Sequence, residues 1–151
     1  MTRGSAATAA LAGALALGLV ACSGGEGDEA RPALRATGAY VPQPPTQEVA
    51  GAFLTIENTG DADDTLVSVS SDAAGTVEIH ETVDNQMRQV DSLPVPAGGE
   101  LDLARGGNHV MLLDLSRRLV EGETVSLELR FETSDPITVD VPVESATHTG
   151  E

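Results

Sequence analysis

The side chains that could bind a soft metal ion are few in this chain, and most of them lie close together. Apart from Met1 there are two methionines and three histidines, and four of these five residues fall between positions 80 and 111: His80, Met87, His109 and Met111. Strand alternation would place His109 and Met111 on one face, about 6.6–7 Å apart along the backbone. Two imidazoles and two thioethers form a soft donor set that suits Cu(I), and the thioethers weigh against zinc.

The same residues also fit ordinary packing. Met111 lies in the apolar run Val110-Met111-Leu112-Leu113, where a methionine often fills the protein core. A histidine such as His80, which follows apolar strand residues, commonly has a structural role. His148 lies in a polar stretch without a second ligand nearby, so we expect it to be incidental to any metal site. Residue types and spacing alone leave both interpretations open.

No motif of a known enzyme class accompanies these residues. The chain contains no G-x-S-x-G nucleophile elbow, no phosphate-binding P-loop, no G-x-G-x-x-G and no H-E-x-x-H. Its acidic residues are spread along the chain, which favours a solvated surface over a pair of catalytic carboxylates. We therefore expect a protein that is not an enzyme.

Charge and cysteine content exclude two further classes of function. The 8 basic residues are all arginine and face 24 acidic ones, giving a net charge of −16. This balance excludes sequence-independent binding of nucleic acid, which needs basic side chains to displace counterions from phosphates. Cys22 is the only cysteine in the sequence, which excludes an intramolecular disulfide and a metal site built from several thiolates.

The first segment has the pattern of an export signal. Arg3 is followed by an uncharged run from Ala6 to Val20, shorter than the roughly 20 residues that a membrane span needs. The run ends in Leu19-Val20-Ala21-Cys22, which resembles the bacterial lipobox, where the signal is cut before a cysteine that is then lipidated. We predict a lipoprotein-type signal peptide at 1–21 and a lipidated Cys22, which would hold the exported chain at the outer face of the cytoplasmic membrane.

The elements that must position the histidines and methionines are predicted to be β-strands. Short alternations of apolar and polar residues, separated by turn clusters such as Pro94–Gly99, predict nine strands: 34–41, 53–57, 66–70, 77–83, 87–90, 101–103, 109–115, 125–132 and 137–143. This spacing predicts an all-β protein, an antiparallel sandwich or barrel at 34–143. A flexible tether at 22–33 precedes this domain, and a flexible tail at 144–151 follows it.

The candidate ligands and their surroundings resemble the periplasmic Cu(A) chaperone family, PCuAC. The signature of that family is H-x10-M-x21-H-x-M, four Cu(I) ligands on a cupredoxin-like β-sandwich. Here 21 residues separate Met87 from His109, and His109-Val110-Met111 supplies H-x-M. Only six residues separate His80 from Met87, where the family pattern has ten. Further similar blocks are Phe53–Asn58, Val77–Thr82, Leu93–Gly99, Gly106–Leu112 and Val125–Phe131.

The resemblance implies a cupredoxin-like fold that binds Cu(I) through His80, Met87, His109 and Met111. It also implies a metallochaperone that passes copper toward cytochrome c oxidase, with the copper subunit of that oxidase or a Sco-type protein as partner. We expect the chain to be monomeric. Two alternatives stay open, namely a lipoprotein that buffers copper in resistance and a β-sandwich binding module without a metal.

Overall fold

The computed structural model describes residues 29–150, and the regular elements in this range are all β-strands. The predicted signal peptide and Cys22 lie outside the described residues. Ten strands follow in order: β1 (Leu34–Pro42), β2 (Val49–Asn58), β3 (Asp64–Ser70), β4 (Ala74–Val83), β5 (Gln86–Val90), β6 (Leu93–Val95), β7 (Glu100–Leu103), β8 (His109–Leu115), β9 (Thr124–Phe131) and β10 (Ile137–Glu144). Residues 29–150 contain no helix long and apolar enough to cross a membrane.

The strands join into a single sheet that curls over on itself. Their order is β5-β4-β8-β2-β1-β10-β9-β3-β6, and β7 pairs with β2 off this path. The strand pairs are antiparallel except for β1 with β10, which is parallel. Strands β3 and β4 contact each other although they lie far apart in the sheet order. The all-β architecture predicted from the sequence is therefore confirmed, with one parallel pair added.

The core is aliphatic and follows the predicted alternation. On β9 the side chains of Val125, Leu127, Leu129 and Phe131 are all buried, as the sequence pattern predicts. The same is true of alternate residues on β2, where Leu54 and Ile56 are buried. Because only three residues of the chain are aromatic, leucine and valine fill most of this interior.

The largest differences from the predicted strands are an additional strand, β6, and the earlier start of β2. Strand β6 includes Pro94 and Val95, which the sequence predicts to begin the turn cluster Pro94–Gly99. Proline has no backbone N–H to donate. It is tolerated here because β6 is the last strand in the sheet order and has a neighbour on one side only, where Pro94 pairs with Thr65. Strand β2 begins at Val49 and not at Phe53, since its first residues, Val49 to Ala52, pair with β8.

The β4–β5 hairpin turns within two residues. Asp84 and Asn85 both have positive φ, 51° and 60°, and they lie between the paired residues Val83 and Gln86. Positive φ at both central positions is the geometry of a type I′ turn, which asparagine and aspartate tolerate better than other side chains. This tight turn accounts for the short spacing between His80 and Met87.

Strand β1 changes partner along its length. Its register with β2 shifts between Thr37 and Tyr40, and Gly38 has a φ of 60° at this irregularity. Such a bulge bends a strand and increases its twist. Beyond the bend, Val41 pairs with Val143 of β10, which connects the first and last strands of the domain.

A buried carboxylate fastens the start of β3 to the loop after β9. Asp64 is 3% exposed. Its Oδ1 accepts the backbone N–H groups of Thr65 and Thr133, and its Oδ2 accepts both the backbone N–H and the hydroxyl of Ser134. Burial alone would raise the pKa of Asp64, but these hydrogen bonds outweigh it and hold the pKa below its ordinary value.

Gly60 packs directly against the backbone that leads into β1. A Cβ at this position would lie 2.1 Å from the carbonyl oxygen of Arg31 and 2.5 Å from the nitrogen of Ala33. Gly60→Ala is therefore expected to lower the free energy of unfolding by about 2 kcal/mol, because the backbone must move to admit the methyl group. Urea denaturation followed by circular dichroism measures this change.

Gly107→Ala is the matched control for Gly60. The nearest heavy atom to a Cβ at Gly107 is 3.6 Å away, an ordinary contact. This variant is expected to unfold at nearly the wild-type urea concentration. Equal stability of the Gly60→Ala variant and wild type would contradict the close packing described above.

Candidate metal centre

Three neighbouring strands bring the predicted ligands to one face of the sheet. Strand β4 lies between β5 and β8, and His80 pairs directly with His109 across the β4–β8 ladder. In the same ladder Glu78 pairs with Met111, and across the β4–β5 ladder Thr82 pairs with Met87. Directly paired residues point to the same side of a sheet, and so do residues two apart on one strand. The four predicted ligands therefore share a face.

The two imidazole rings are close enough to bind one ion. The centroids of His80 and His109 are 5.4 Å apart and their planes are tilted by 33°. A metal ion about 2 Å from a ring nitrogen lies roughly 3 Å from the centre of that ring. Two rings at the observed separation can therefore share one ion between them.

Each ring has one nitrogen that is already hydrogen-bonded. Nε2 of His80 lies 2.8 Å from Oε2 of Glu78, and Nδ1 of His109 lies 3.0 Å from the carbonyl oxygen of Gly107. Carboxylate and carbonyl oxygens accept, so these two nitrogens donate. The other nitrogen of His80, Nδ1, is buried and has no hydrogen-bond partner among the described residues. An unpartnered buried lone pair is costly unless something binds it, which fits a metal ligand.

The methionines border an open groove on the same face. The groove has a volume of about 800 Å³, and its lining includes His109, Met87, Met111, Phe53 and Arg105. Met87 is 64% exposed, whereas Met111 is half-buried and His109 is buried. The register places Met87 diagonally from His80 across β4 and β5, a relation that corresponds to about 7–8 Å between Cα atoms. The donors thus range from a buried imidazole to a thioether open to solvent.

Aromatic side chains connect the edge of this face to the end of the chain. Phe53 lies 6.5 Å from His109 and 5.3 Å from Tyr40, measured between ring centroids. His148 packs edge-on against Tyr40, with a centroid separation of 4.8 Å. His148 thus contacts Tyr40 and is separated from the paired histidines by two aromatic rings.

Sequence reasoning missed the residues that hold the two imidazoles. Glu78 and Gly107 do not stand out in the sequence, although Glu78 precedes His80 by two positions and so lies on the same strand face. That spacing is a weak signal, because acidic residues are abundant on the strands of this chain. Within residues 29–150 no group of three or more His, Cys, Asp and Glu side chains is placed to hold a metal ion.

The sequence matches one protein family and is similar to two bacterial proteins. Residues 34–143 match the LpqE-like family, described as "Putative lipoprotein LpqE-like". Over 98 residues the chain is 38% identical to "Putative lipoprotein Lxx21020" of Leifsonia xyli subsp. xyli, and over 96 residues it is 31% identical to RP573 of Rickettsia prowazekii. These matches cover 62% and 60% of this chain, and they span only 59% and 53% of the two relatives.

Solved structures share the fold. The apo PCuAC domain of PmoF2 superimposes with a TM-score of 0.68 at 23% identity, covering 80% of this chain and 97% of that domain. A copper-bound PCuAC domain of PmoF2 gives a TM-score of 0.65, also at 23% identity, covering 76% and 98%. The Cu(I) form of DR1885 from Deinococcus radiodurans gives 0.66 at 30% identity, covering 85% and 89%. The predicted cupredoxin-like fold and the resemblance to PCuAC are confirmed, and the chain belongs to the LpqE-like family.

Proposed function

We propose that this protein binds a single Cu(I) ion through His80, Met87, His109 and Met111 and carries it outside the cytoplasm. The observation that carries the proposal is the direct pairing of His80 with His109, with Met87 and Met111 on the same sheet face. Two imidazoles and two thioethers are soft, neutral donors, which favour Cu(I) over magnesium, calcium or zinc. Copper-bound relatives of the same fold support the choice of metal.

The graded exposure of the donors suits a carrier. A copper carrier must hold the ion without releasing it to solvent, yet pass it on by exchanging ligands one at a time. Met87 is the most exposed donor, and both methionines border the groove, so an incoming ligand can displace a thioether first. Buried His109 and its neighbour His80 would release the ion last.

We further propose that the carrier is a lipoprotein that supplies copper to cytochrome c oxidase. The lipobox-like sequence ending at Cys22 and the lipoprotein names of the family and of Lxx21020 support an exported, lipid-anchored protein. A lipid anchor at the outer face of the cytoplasmic membrane would raise the effective concentration of the carrier near a membrane-bound acceptor. The proposed acceptor is the copper subunit of the oxidase or a Sco-type protein.

The two methionines give the direct test of the copper site. Met87→Leu and Met111→Leu are each expected to keep the fold and to weaken Cu(I) binding about tenfold or more, which corresponds to roughly 1.4 kcal/mol. Leucine preserves the apolar volume but removes the sulfur donor. Anaerobic competition with a Cu(I) chelator measures the affinity, and Val83→Leu in the same hairpin serves as the control. Wild-type affinity in both methionine variants would refute the ligand assignment.

A transfer assay separates a carrier from a copper buffer. Cu(I)-loaded protein is mixed with the purified copper-binding domain of the oxidase subunit, and copper is quantified on each protein after separation. A carrier is expected to lose its copper to this acceptor faster than the ion dissociates into chelator alone. Transfer no faster than dissociation would favour the buffering role.

A further inference from the structure

Glu78 is the one carboxylate that is hydrogen-bonded to a candidate copper ligand among the described residues. Its Oε2 lies 2.8 Å from Nε2 of His80, and both side chains are largely shielded, with exposed fractions of 23% for Glu78 and 15% for His80. Other glutamates of the described sheet, such as Glu57 and Glu81, pair with arginine. Glu78 is paired with His80 instead. Its carboxylate therefore holds an imidazole and does not neutralise an arginine.

The contact determines which nitrogen of His80 is free. An imidazole that donates from Nε2 to a carboxylate has its lone pair on Nδ1, and the partner of one ring nitrogen sets the role of the other. In this structure Nδ1 of His80 is buried and unpartnered within the described residues. The ring is thus held with one nitrogen occupied and the other available.

His109 is hydrogen-bonded through its other ring nitrogen. Its Nδ1 donates to the carbonyl oxygen of Gly107, which leaves Nε2 as the nitrogen with the lone pair. The same loop carbonyl also accepts the hydroxyl of Thr82 on β4. The turn before β8 is therefore fixed to the neighbouring strand at the point where it orients the ring.

We propose that Glu78 is a positioning residue for copper binding, and that the ion is bound through Nδ1 of His80 and Nε2 of His109. This inference rests on the proposed copper site and adds the identity of the ligating atoms. Glu78 does not touch the metal. It fixes the orientation and the tautomer of the His80 ring before copper arrives, which lowers the cost of ordering that ring on binding.

The first test uses the wild-type protein without metal. Long-range ¹H–¹⁵N correlation spectra at a pH of about 8, where an ordinary imidazole is neutral, report which nitrogen carries the proton. The expected result is a proton on Nε2 of His80 and on Nδ1 of His109. A proton on Nδ1 of His80 would overturn the proposal, and this readout depends neither on copper nor on a variant.

The second test identifies the bound atoms with silver. Ag(I) is a soft, diamagnetic substitute for Cu(I), and ¹⁰⁹Ag bound to ¹⁵N-labelled protein couples to the ligating nitrogen. We expect coupling to Nδ1 of His80 and to Nε2 of His109. Coupling to Nε2 of His80 would overturn only this inference, whereas the absence of coupling to either histidine would contradict the proposed copper site itself.

Variants of Glu78 separate positioning from a structural role. Glu78→Ala is expected to weaken Cu(I) binding about 10- to 100-fold, the usual effect of losing a group that orients a metal ligand. Glu78→Gln keeps a carbonyl oxygen that can accept from Nε2, so it should recover most of the affinity. Glu81→Ala, which removes a carboxylate from the same strand, should bind as wild type does. Wild-type affinity in Glu78→Ala, or equal loss in the alanine and glutamine variants, would refute the assignment.

Discussion

The proposed copper site predicts that replacing His109 with alanine removes most of the stabilisation that the protein gains from added Cu(I). A ligand that binds only the folded state stabilises it by an amount that depends on the ratio of its free concentration to Kd. At 1,000 times Kd the gain is about 4.1 kcal/mol, and a 100-fold weaker variant under the same conditions gains about 1.4 kcal/mol. His109 is buried, pairs with His80 and lines the groove together with Met87 and Met111, so its loss should have an effect of this order.

The measurement is the shift in urea midpoint on adding buffered Cu(I) under anaerobic conditions. Each variant is compared with its own metal-free form, which cancels the cost of the cavity left by the imidazole. His109→Leu, which refills much of that volume, should show the same loss of copper response. His148→Ala is the matched control, because His148 packs on Tyr40 and should leave the copper response intact. A full response in both His109 variants would refute copper binding at this residue.

Asp64→Asn is expected to destabilise the metal-free protein by about 3 kcal/mol. The carboxylate accepts four hydrogen bonds with its two oxygens, from the backbone N–H groups of Thr65, Thr133 and Ser134 and from the Ser134 hydroxyl. Asparagine offers one oxygen and one NH2 group, so at least one buried backbone N–H would face another donor. A hydrogen bond to a charged group is worth roughly 1.5–3 kcal/mol, and leaving a buried donor without a partner costs roughly 1–3 kcal/mol.

The same carboxylate makes stability depend on acid pH. Because the pKa of Asp64 is lowered in the folded protein, its contribution is complete above the pKa of the unfolded chain, about 3.9. It is lost as the pH falls through the lower folded pKa, since protonation removes the acceptor. Asp64→Asn should therefore lose less stability than wild type between pH 5 and the acid range at about pH 2.

Urea unfolding at a series of pH values measures both effects. Asp61→Asn removes the same charge from an exposed position in the preceding turn, so it should unfold nearly as wild type does at neutral pH. An Asp64→Asn variant as stable as wild type at neutral pH would contradict the structural role of this carboxylate. Parallel pH profiles for the variant and the wild type would contradict the lowered pKa.

The strand pattern of the core could be predicted because its signal is local. The alternation of Val125, Leu127, Leu129 and Phe131 marks a strand with one buried face, and β9 has that face in the core. Strand β6 and the first residues of β2 could not be predicted in this way. Pro94 is acceptable in β6 only because that strand is at the edge of the sheet, and Val49 to Ala52 form a strand by pairing with β8.

The candidate site was predictable as a set of residues but not as an arrangement of atoms. The spacing of His109 and Met111 implies a shared face from strand geometry alone. The pairing of His80 with His109 depends on the register between β4 and β8, which long-range packing determines. The hydrogen bonds of Glu78 and Gly107 follow from that register and from the turn before β8, so no local pattern reveals which ring nitrogens are free.

The register of β1 and β2 also separates the point where the chain enters the domain from the paired histidines. Leu34 pairs with Asn58 at one end of β2, whereas Ala52 pairs with Val110, next to His109. The stretch of β2 from Asn58 back to Ala52 is roughly 20 Å long at about 3.4 Å per residue. The chain therefore enters the domain at one end of β2, and the two imidazoles lie toward the other end of that strand. An attachment through the N-terminal side of the chain would therefore meet the domain roughly 20 Å from the imidazoles, and it would leave the face that carries them open to other proteins.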